Sequence, residues 1–246
     1  MQILSGNLVG YQSIQPRAMY EGGSKITGGG SAFLSVGGVG YCLNDFKIVD
    51  GNEEADTIAF VQTGSAKIDN AKKYYWYEGE GTVEDPSCWC YATSGDPVDP
   101  EEAAMTIPAG TGFLCTFGTS KAKIVYAGEV NKGVKGEIEC GRAGKYTYVC
   151  NPCPYDVPLK DIYIKNGNEE ADAIKFMQKA SAKVDNARSY YWYEGDGTAE
   201  DPACWYDAAT GEPSEKALTE VIKAGEAVLF VSGTSKARVV FKAPAL

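Results

Sequence analysis

The chain has 246 residues, 44% hydrophobic and 23% charged, with 29 glycines and a formal net charge of −10. There is enough apolar mass to fold throughout, and the acidity excludes nucleic acid and anionic membrane surfaces as partners, because both require clustered Lys and Arg. Histidine is absent, which removes Ser-His and Cys-His nucleophilic machinery, histidine-ligated metal sites, and with them most enzymes.

Residues 1–11 combine Ile3, Leu4, Leu8 and Val9 with Gly6 and Gly10 and read as an edge-forming strand with a turn. They lack the basic and long apolar regions of a signal peptide, and no window reaches the length of a transmembrane helix. Glycines at 22–23, 28–30 and 37–38 punctuate short apolar runs such as Ala32-Phe33-Leu34, the spacing of an all-β domain. Phe46 and Ile48 alternate with polar neighbours as a half-buried strand requires. Gly51-Asn52-Glu53-Glu54-Ala55-Asp56 is a polar turn. Ile58, Phe60 and Gln62 then predict a strand with its other face in solvent.

The next stretch reveals the organisation of the chain. Tyr74-Tyr75-Trp76-Tyr77-Glu78-Gly79 returns unchanged as Tyr190-Tyr191-Trp192-Tyr193-Glu194-Gly195, an offset of 192 − 76 = 116 residues, and Cys88-Trp89 returns as Cys204-Trp205. The acidic turn recurs at 167–172. Beyond a variable, proline-bearing loop over 92–106 the offset becomes 222 − 107 = 115, with Ile107 answering Ile222. Gly118-Thr119-Ser120-Lys121-Ala122 recurs at 233–237 and predicts a hairpin turn; its Gly-Thr-Ser-Lys lacks the spacing of a phosphate loop. A period of this length is the size of one domain with its own core. The sequence thus predicts an all-β protein of two tandem β-sandwich-like domains from an internal duplication, 1–127 and 128–246, with no linker between them.

In a strand Tyr74 and Trp76 point one way and Tyr75 and Tyr77 the other. One face is core, and Trp76 and Trp192 are its expected buried anchors. The other face, Tyr75 and Tyr77 with Tyr191 and Tyr193, is the candidate ligand or subunit contact: it packs on a neighbour or stacks on sugar rings. Of the eight cysteines only Cys88 and Cys204 occupy equivalent positions. A disulfide that stapled the repeated unit would recur as a pair, so free thiols are expected. Cys150-Asn151-Pro152-Cys153 has C-x-x-C spacing, without a histidine or a second such pair to complete a zinc site.

Asn151-Pro152-Cys153-Pro154 after an apolar strand, the Tyr-x-Trp strand, the Trp-opened strand and Ile107, Ala109, Gly110, Gly112 and Phe113 together resemble β-rich modules of bacterial secreted and surface proteins. Those modules carry a similar valine-asparagine-proline to alanine-glycine-x-glycine-phenylalanine pattern. The resemblance implies a β-sandwich-like module in an extracellular or assembled setting and brings no catalytic residue. The chain departs from the pattern at 35–38, where the Asn-Pro-x-Pro bend is missing, and at Ala227, which stands where Gly112 does.

The carboxylate pairs formally open to glycosidase chemistry, Glu78 with Asp85 and Glu194 with Asp201, lie in what read as hairpin tips. No catalytic, cofactor-binding or metal residue is assigned. Structural Ca2+ is the one cofactor left open, through Asp50, Asn52 and Asp56 or through Glu80, Glu84 and Asp85. The reading is a non-enzymatic structural protein, extracellular or in a virion, that self-assembles into a filament, surface layer or virion component. Its junction at 123–128 closes one unit as another opens, and 238–243 and 1–6 are the unmatched halves of such a junction, which favours head-to-tail contact. The alternative is a tandem carbohydrate-binding module with glycans as partners.

Overall fold

A computed structural model describes residues 9–14, 30–34, 40–53, 55–62, 67–108, 111–118, 121–129, 136–139, 145–151, 155–168, 171–178, 181–233 and 236–242. In the first half these form β1 (Val9–Ile14), β2 (Gly30–Leu34), β3 (Phe46–Val49), β4 (Thr57–Val61), β5 (Ile68–Tyr77), β6 (Cys88–Tyr91), α1 (Pro100–Ala103), β7 (Phe113–Phe117) and β8 (Lys123–Glu129). The second half follows as β9 (Gly136–Glu139), β10 (Lys145–Cys150), β11 (Val157–Pro158), β12 (Ile162–Lys165), β13 (Ala173–Met177), β14 (Val184–Tyr193), β15 (Cys204–Asp207), α2 (Glu215–Thr219), β16 (Val221–Ile222), β17 (Ala227–Ser232) and β18 (Arg238–Phe241). The protein is mostly β, and its sheets are antiparallel.

The two halves use one strand order. A small sheet runs β1-β8-β3 in the first and β9-β18-β12 in the second, and a large sheet runs β2-β7-β4-β5-β6 and β10-β17-β13-β14-β15. In the first half Phe46, Ile48, Ile124 and Tyr126 of the small sheet share one buried cluster with Ile58, Phe60, Phe113 and Phe117 of the large sheet. Ile162, Ile164, Val239 and Phe241 share another with Ile174, Phe176 and Phe230. Period-two alternation produces this arrangement: β3 reads buried, exposed, buried, and β7 alternates along its whole length.

Trp89 and Trp205, rather than Trp76 and Trp192, are the buried anchors. Trp89 is 3% exposed, and its indole N–H reaches both Leu43 O at 2.8 Å and Phe46 O at 3.0 Å. Trp205 repeats the pair with Leu159 O and Ile162 O at 2.8 and 3.0 Å. Each indole ties the last strand of a large sheet to the 3-10 turn (Leu43–Asp45, Leu159–Asp161) that opens the small one. Trp76 and Trp192 are half-buried. They sit opposite Trp89 and Trp205 in the ladder and cover them edge-on, with centroids 5.5 and 5.3 Å apart.

The segments 118–122 and 233–237 do not turn hairpins. The strands before and after them lie in different sheets, so each segment is a corner that carries the chain from the large sheet to the small one. A buried carboxylate holds it in place. Asp56 accepts from Gly118 N–H at 2.6 Å and from Asn52 N–H, and Asp172 does the same for Gly233 and Asn168. A β-carbon on Gly118 or Gly233 would overlap the methyl of Ala55 or Ala171, so the corner requires glycine.

Sequence periodicity also missed α1 and α2, within or just beyond the variable loop. Asp99 caps α1 by accepting from Glu101 N–H, with Pro100 following it, and Ser214 caps α2 by accepting from Ala217 N–H. Those cap residues were the available signal.

The outer face of β4 is not in solvent. Thr57 and Ala59 are buried, and Val61 packs into a cluster that Phe33, Tyr148, Cys150, Met177, Ala227 and Leu229 build from both halves. Phe33 stacks on Tyr148 with centroids 3.7 Å apart and planes 11° from parallel. Two isolated bridges flank the stack, Leu34 to Glu226 and Thr111 to Val149. Leu34 and Val149 are equivalent by ladder position, as are Thr111 and Glu226 by sequence offset, so each half gives the other the same contact. That reciprocity marks a two-fold-like, isologous interface. Gly112 lies within it; a β-carbon there would come 2.5 Å from Cys150 Sγ.

In the run expected to be an unmatched half-junction, β18 pairs with β12 on one side and β9 on the other, just as the junction strand β8 pairs with β3 and β1. Residues 1–6 lie outside the described residues.

Trp89→Ala should cost about 3–5 kcal/mol, since it leaves a large cavity and takes the indole donor from two carbonyls. Trp76→Ala should cost clearly less. Urea unfolding of both variants checks the order, and equal losses would place the anchor wrongly.

Candidate functional site

Tyr75, Tyr77, Tyr191 and Tyr193 all lie on the outer faces of the large sheets and are half-buried, but the structure does not treat them alike. Tyr77 and Tyr193 donate their hydroxyls to Asp85 Oδ1 at 3.0 Å and Asp201 Oδ2 at 3.1 Å. Each carboxylate also accepts a backbone N–H of its own loop, from Glu80 or Asp196. These tyrosines brace hairpin tips, and Asp85 raises the Tyr77 pKa by accepting its proton. Of the carboxylates suggested for glycoside chemistry or for calcium, Asp85 and Asp201 are thus engaged locally. Asp56 spends both oxygens on backbone N–H groups, and Asp50 pairs with Lys123 at 3.0 Å.

Tyr75 and Tyr191 belong to rows that cross each large sheet. In the second half the ladder aligns Tyr146, Val231, Ala173, Tyr191 and Tyr206. Tyr191 and Tyr206 lie nearly parallel at 5.3 Å, and Tyr193 leans on Tyr206 at 5.1 Å. Tyr146 is 45% exposed at the far end of the row. In the first half the same row is Ser31, Thr116, Thr57, Tyr75 and Cys90. Among the described residues the aromatic row therefore occurs once. Tyr146 and Tyr206 were not singled out from the sequence, because their partners lie far away along the chain and only the sheet order aligns them.

A second asymmetry lies beside the equivalent residues Tyr74 and Tyr190. Tyr190 donates to Glu220 Oε1 at 3.0 Å, and Arg188 grips the same carboxylate with Nε at 2.9 Å and Nη2 at 2.5 Å. The guanidinium lies over Phe176, its Cζ 4.2 Å from the ring centroid. Burial opposes the charge on Glu220, but Arg188 and the Tyr190 hydroxyl outweigh it and hold the carboxyl below its usual range. In the first half Tyr74 donates to Glu102 Oε1 at 2.6 Å and Tyr91 to Oε2 at 2.7 Å. Burial and Glu102 together push the Tyr74 hydroxyl far upward. Lys72 stands where Arg188 does, exposed, and no ion pair joins it to Glu102. A cleft of about 400 Å3 opens there, bounded by Phe60, Tyr74, Glu102, Met105 and Ile107.

Of the six cysteines described, Cys42, Cys88, Cys90, Cys115 and Cys204 are free thiols, and Cys150 donates its thiol to Leu34 O at 3.8 Å. Cys88 and Cys90 share the outer face with sulfurs 3.8 Å apart, and burial with the neighbouring sulfur pushes Cys90 up to about 11. The C-x-x-C reading extends to Cys153, which lies outside the described residues. Asn151, the first residue of that bend, is buried and donates its amide to Tyr155 O and Ile222 O. Among the described residues no group of three or more Cys, Asp or Glu side chains is placed to hold a metal ion.

No protein-family model, no curated protein and no solved structure matches this chain.

Arg188→Met should destabilise the protein by about 2 kcal/mol at neutral pH, because it strands a largely buried carboxylate. The folded Glu220 pKa is lowered, so its stabilisation is present above the ordinary value of 4.5 and is lost as pH falls through the folded value. The gap between wild type and variant should therefore shrink in acid, as denaturant unfolding at pH 7 and pH 3 will show. Alkylation mapped by mass spectrometry should reach the half-buried Cys88 in the native protein and reach Cys115 and Cys150, both buried, only after denaturation.

Proposed function

We propose that the chain is a non-enzymatic structural protein of two tandem β-sandwich domains, 1–127 and 128–246, derived by internal duplication, which self-assembles through its second large sheet. The observation that carries this reading is the single aromatic row. The outer faces of the large sheets already bury apolar surface on each other at Phe33 and Tyr148, and the second-half face continues beyond that contact as Tyr146, Tyr191 and Tyr206. Rings of this size dominate the energetics of interfaces.

The row has no counterpart in the first half, so docking it on a different surface of the next copy gives a head-to-tail contact, which closes into a ring or extends into a filament. A filament, a surface layer or a virion component fits that geometry, and the resemblance to secreted and surface modules favours an extracellular or virion setting. The shared strand order, the equivalent tryptophan anchors and the equivalent Asp56 and Asp172 corners support the duplication.

A second reading, glycan binding, is favoured by the contiguous platform of Tyr191, Tyr206 and Tyr193. Sedimentation velocity and negative-stain microscopy separate the two. Wild-type chain should form oligomers or fibres, and the Tyr146→Ser, Tyr206→Ser double variant should weaken association about a hundredfold, two buried rings being worth about 3 kcal/mol together. A monodisperse wild-type monomer at high concentration, with a positive glycan array, would move the conclusion to the second reading.

A further inference from the structure

The two tyrosine-carboxylate sites are built alike and completed differently. In the second half the space between Phe176, Tyr190 and Glu220 is filled by the guanidinium of Arg188. In the first half Phe60, Tyr74 and Glu102 surround a cleft of about 400 Å3, and the equivalent side chain, Lys72, remains at its exposed rim. The two glutamates occupy different positions in the repeat, Glu102 on α1 and Glu220 just after α2, yet each accepts from the equivalent tyrosine. The carboxylate, the hydroxyl and the aromatic ring persist in both halves; in the first, Tyr91 donates to the second carboxylate oxygen and no guanidinium lies over the ring.

We propose that the cleft of the first half binds a guanidinium group supplied from outside the chain, in the position that Arg188 occupies in the second half. Glu102 is its counter-ion. Tyr74 and Tyr91 each donate to one carboxylate oxygen, which fixes the plane of the carboxylate and leaves further lone pairs for a planar fork. Phe60 offers the ring on which the guanidinium lies. Met105, 62% exposed, and Ile107 form an apolar wall for the methylene stem of an arginine. The volume is in the range of small-ligand sites, and the net charge of −10 attracts a cation. An ammonium fits less well, because it has neither the fork nor the flat face.

The test is an NMR titration of the full chain, labelled on aromatic carbons, with Nα-acetyl-arginine methylamide, agmatine and Nα-acetyl-lysine methylamide. The two guanidinium compounds should shift the Tyr74 and Phe60 resonances and bind about tenfold more tightly than the lysine compound. Preference for the blocked arginine over agmatine assigns the ligand to a polypeptide partner, and the reverse assigns it to a free guanidinium compound. Glu102→Gln should weaken binding at least about tenfold. Lys72→Arg should abolish it by filling the cleft as Arg188 does, whereas Lys72→Met should retain it; circular dichroism confirms that each variant folds. Glu220→Gln should leave binding unchanged. Equal affinity for arginine and lysine compounds, or binding indifferent to Glu102→Gln and Lys72→Arg, would overturn the assignment.

Discussion

The bifurcated hydrogen bond of a buried indole organises each half. Trp89 N–H is shared by the carbonyls of Leu43 and Phe46, which bracket a 3-10 turn, and Trp205 repeats the geometry at Leu159 and Ile162. The first carbonyl of each turn, Leu43 O or Leu159 O, accepts the backbone N–H of Phe46 or Ile162 that closes the turn. The indole adds a second donor to it and reaches the carbonyl of the closing residue as well, while filling the space between the sheets. Because the tryptophan stands on the last strand of the large sheet and the turn opens the small one, the bond fixes the distance between the sheets. The residues packed between them, from Phe46 to Phe113 with rings 5.5 Å apart, depend on that spacing.

The same economy holds at the opposite end of each half. Asp56 and Asp172 are almost fully buried, which an isolated carboxylate would not tolerate, and each is satisfied by backbone N–H groups from two separate segments. The acidic turn and the glycine corner are distant in sequence, and both recur in the second copy because they are two parts of one clamp. The acidic turn thus contributes, through Asp56 and Asp172, a carboxylate that closes a corner.

The sequence repeat made the strand pattern largely legible: period-two alternation marked β3 and β4, the runs opened by Trp89 and Trp205 marked β6 and β15, and the aromatic stretches marked β5 and β14. Sheet membership was less visible, because the choice between a hairpin and a corner at 118–122 depends on Asp56, far from it in the chain. Trp76 was a natural choice of anchor, lying in a six-residue identical run, but it is the Trp89 indole N–H that reaches the carbonyls of the 3-10 turn, while Trp76 Nε1 is buried without a partner. Of the candidate site, the outward tyrosines were predicted by alternation alone. The row that joins Tyr191 to Tyr146 needs the strand order, and the Glu102 and Glu220 sites needed coordinates because their glutamates do not align.

Closed edges shape what the protein can do with its surface. The outer edges of β6 and β15 face their own chain: Val98 N–H returns to Trp89 O and Ser214 N–H to Trp205 O, with Pro97 and Pro213 at the bridges. Proline at a sheet edge presents no donor, and a covered edge cannot template another strand. The far strands of the large sheets, β2 and β10, meet the opposite half through the bridges at Leu34 and Val149. Backbone addition at these edges is thereby suppressed, and contact with a neighbour at the large sheets must come through side chains on their outer faces. Only the second half presents those side chains as an aromatic row. One half thus presents a surface suited to apolar contact and the other an open cleft, on a scaffold whose tryptophan and aspartate fastenings are the same in both.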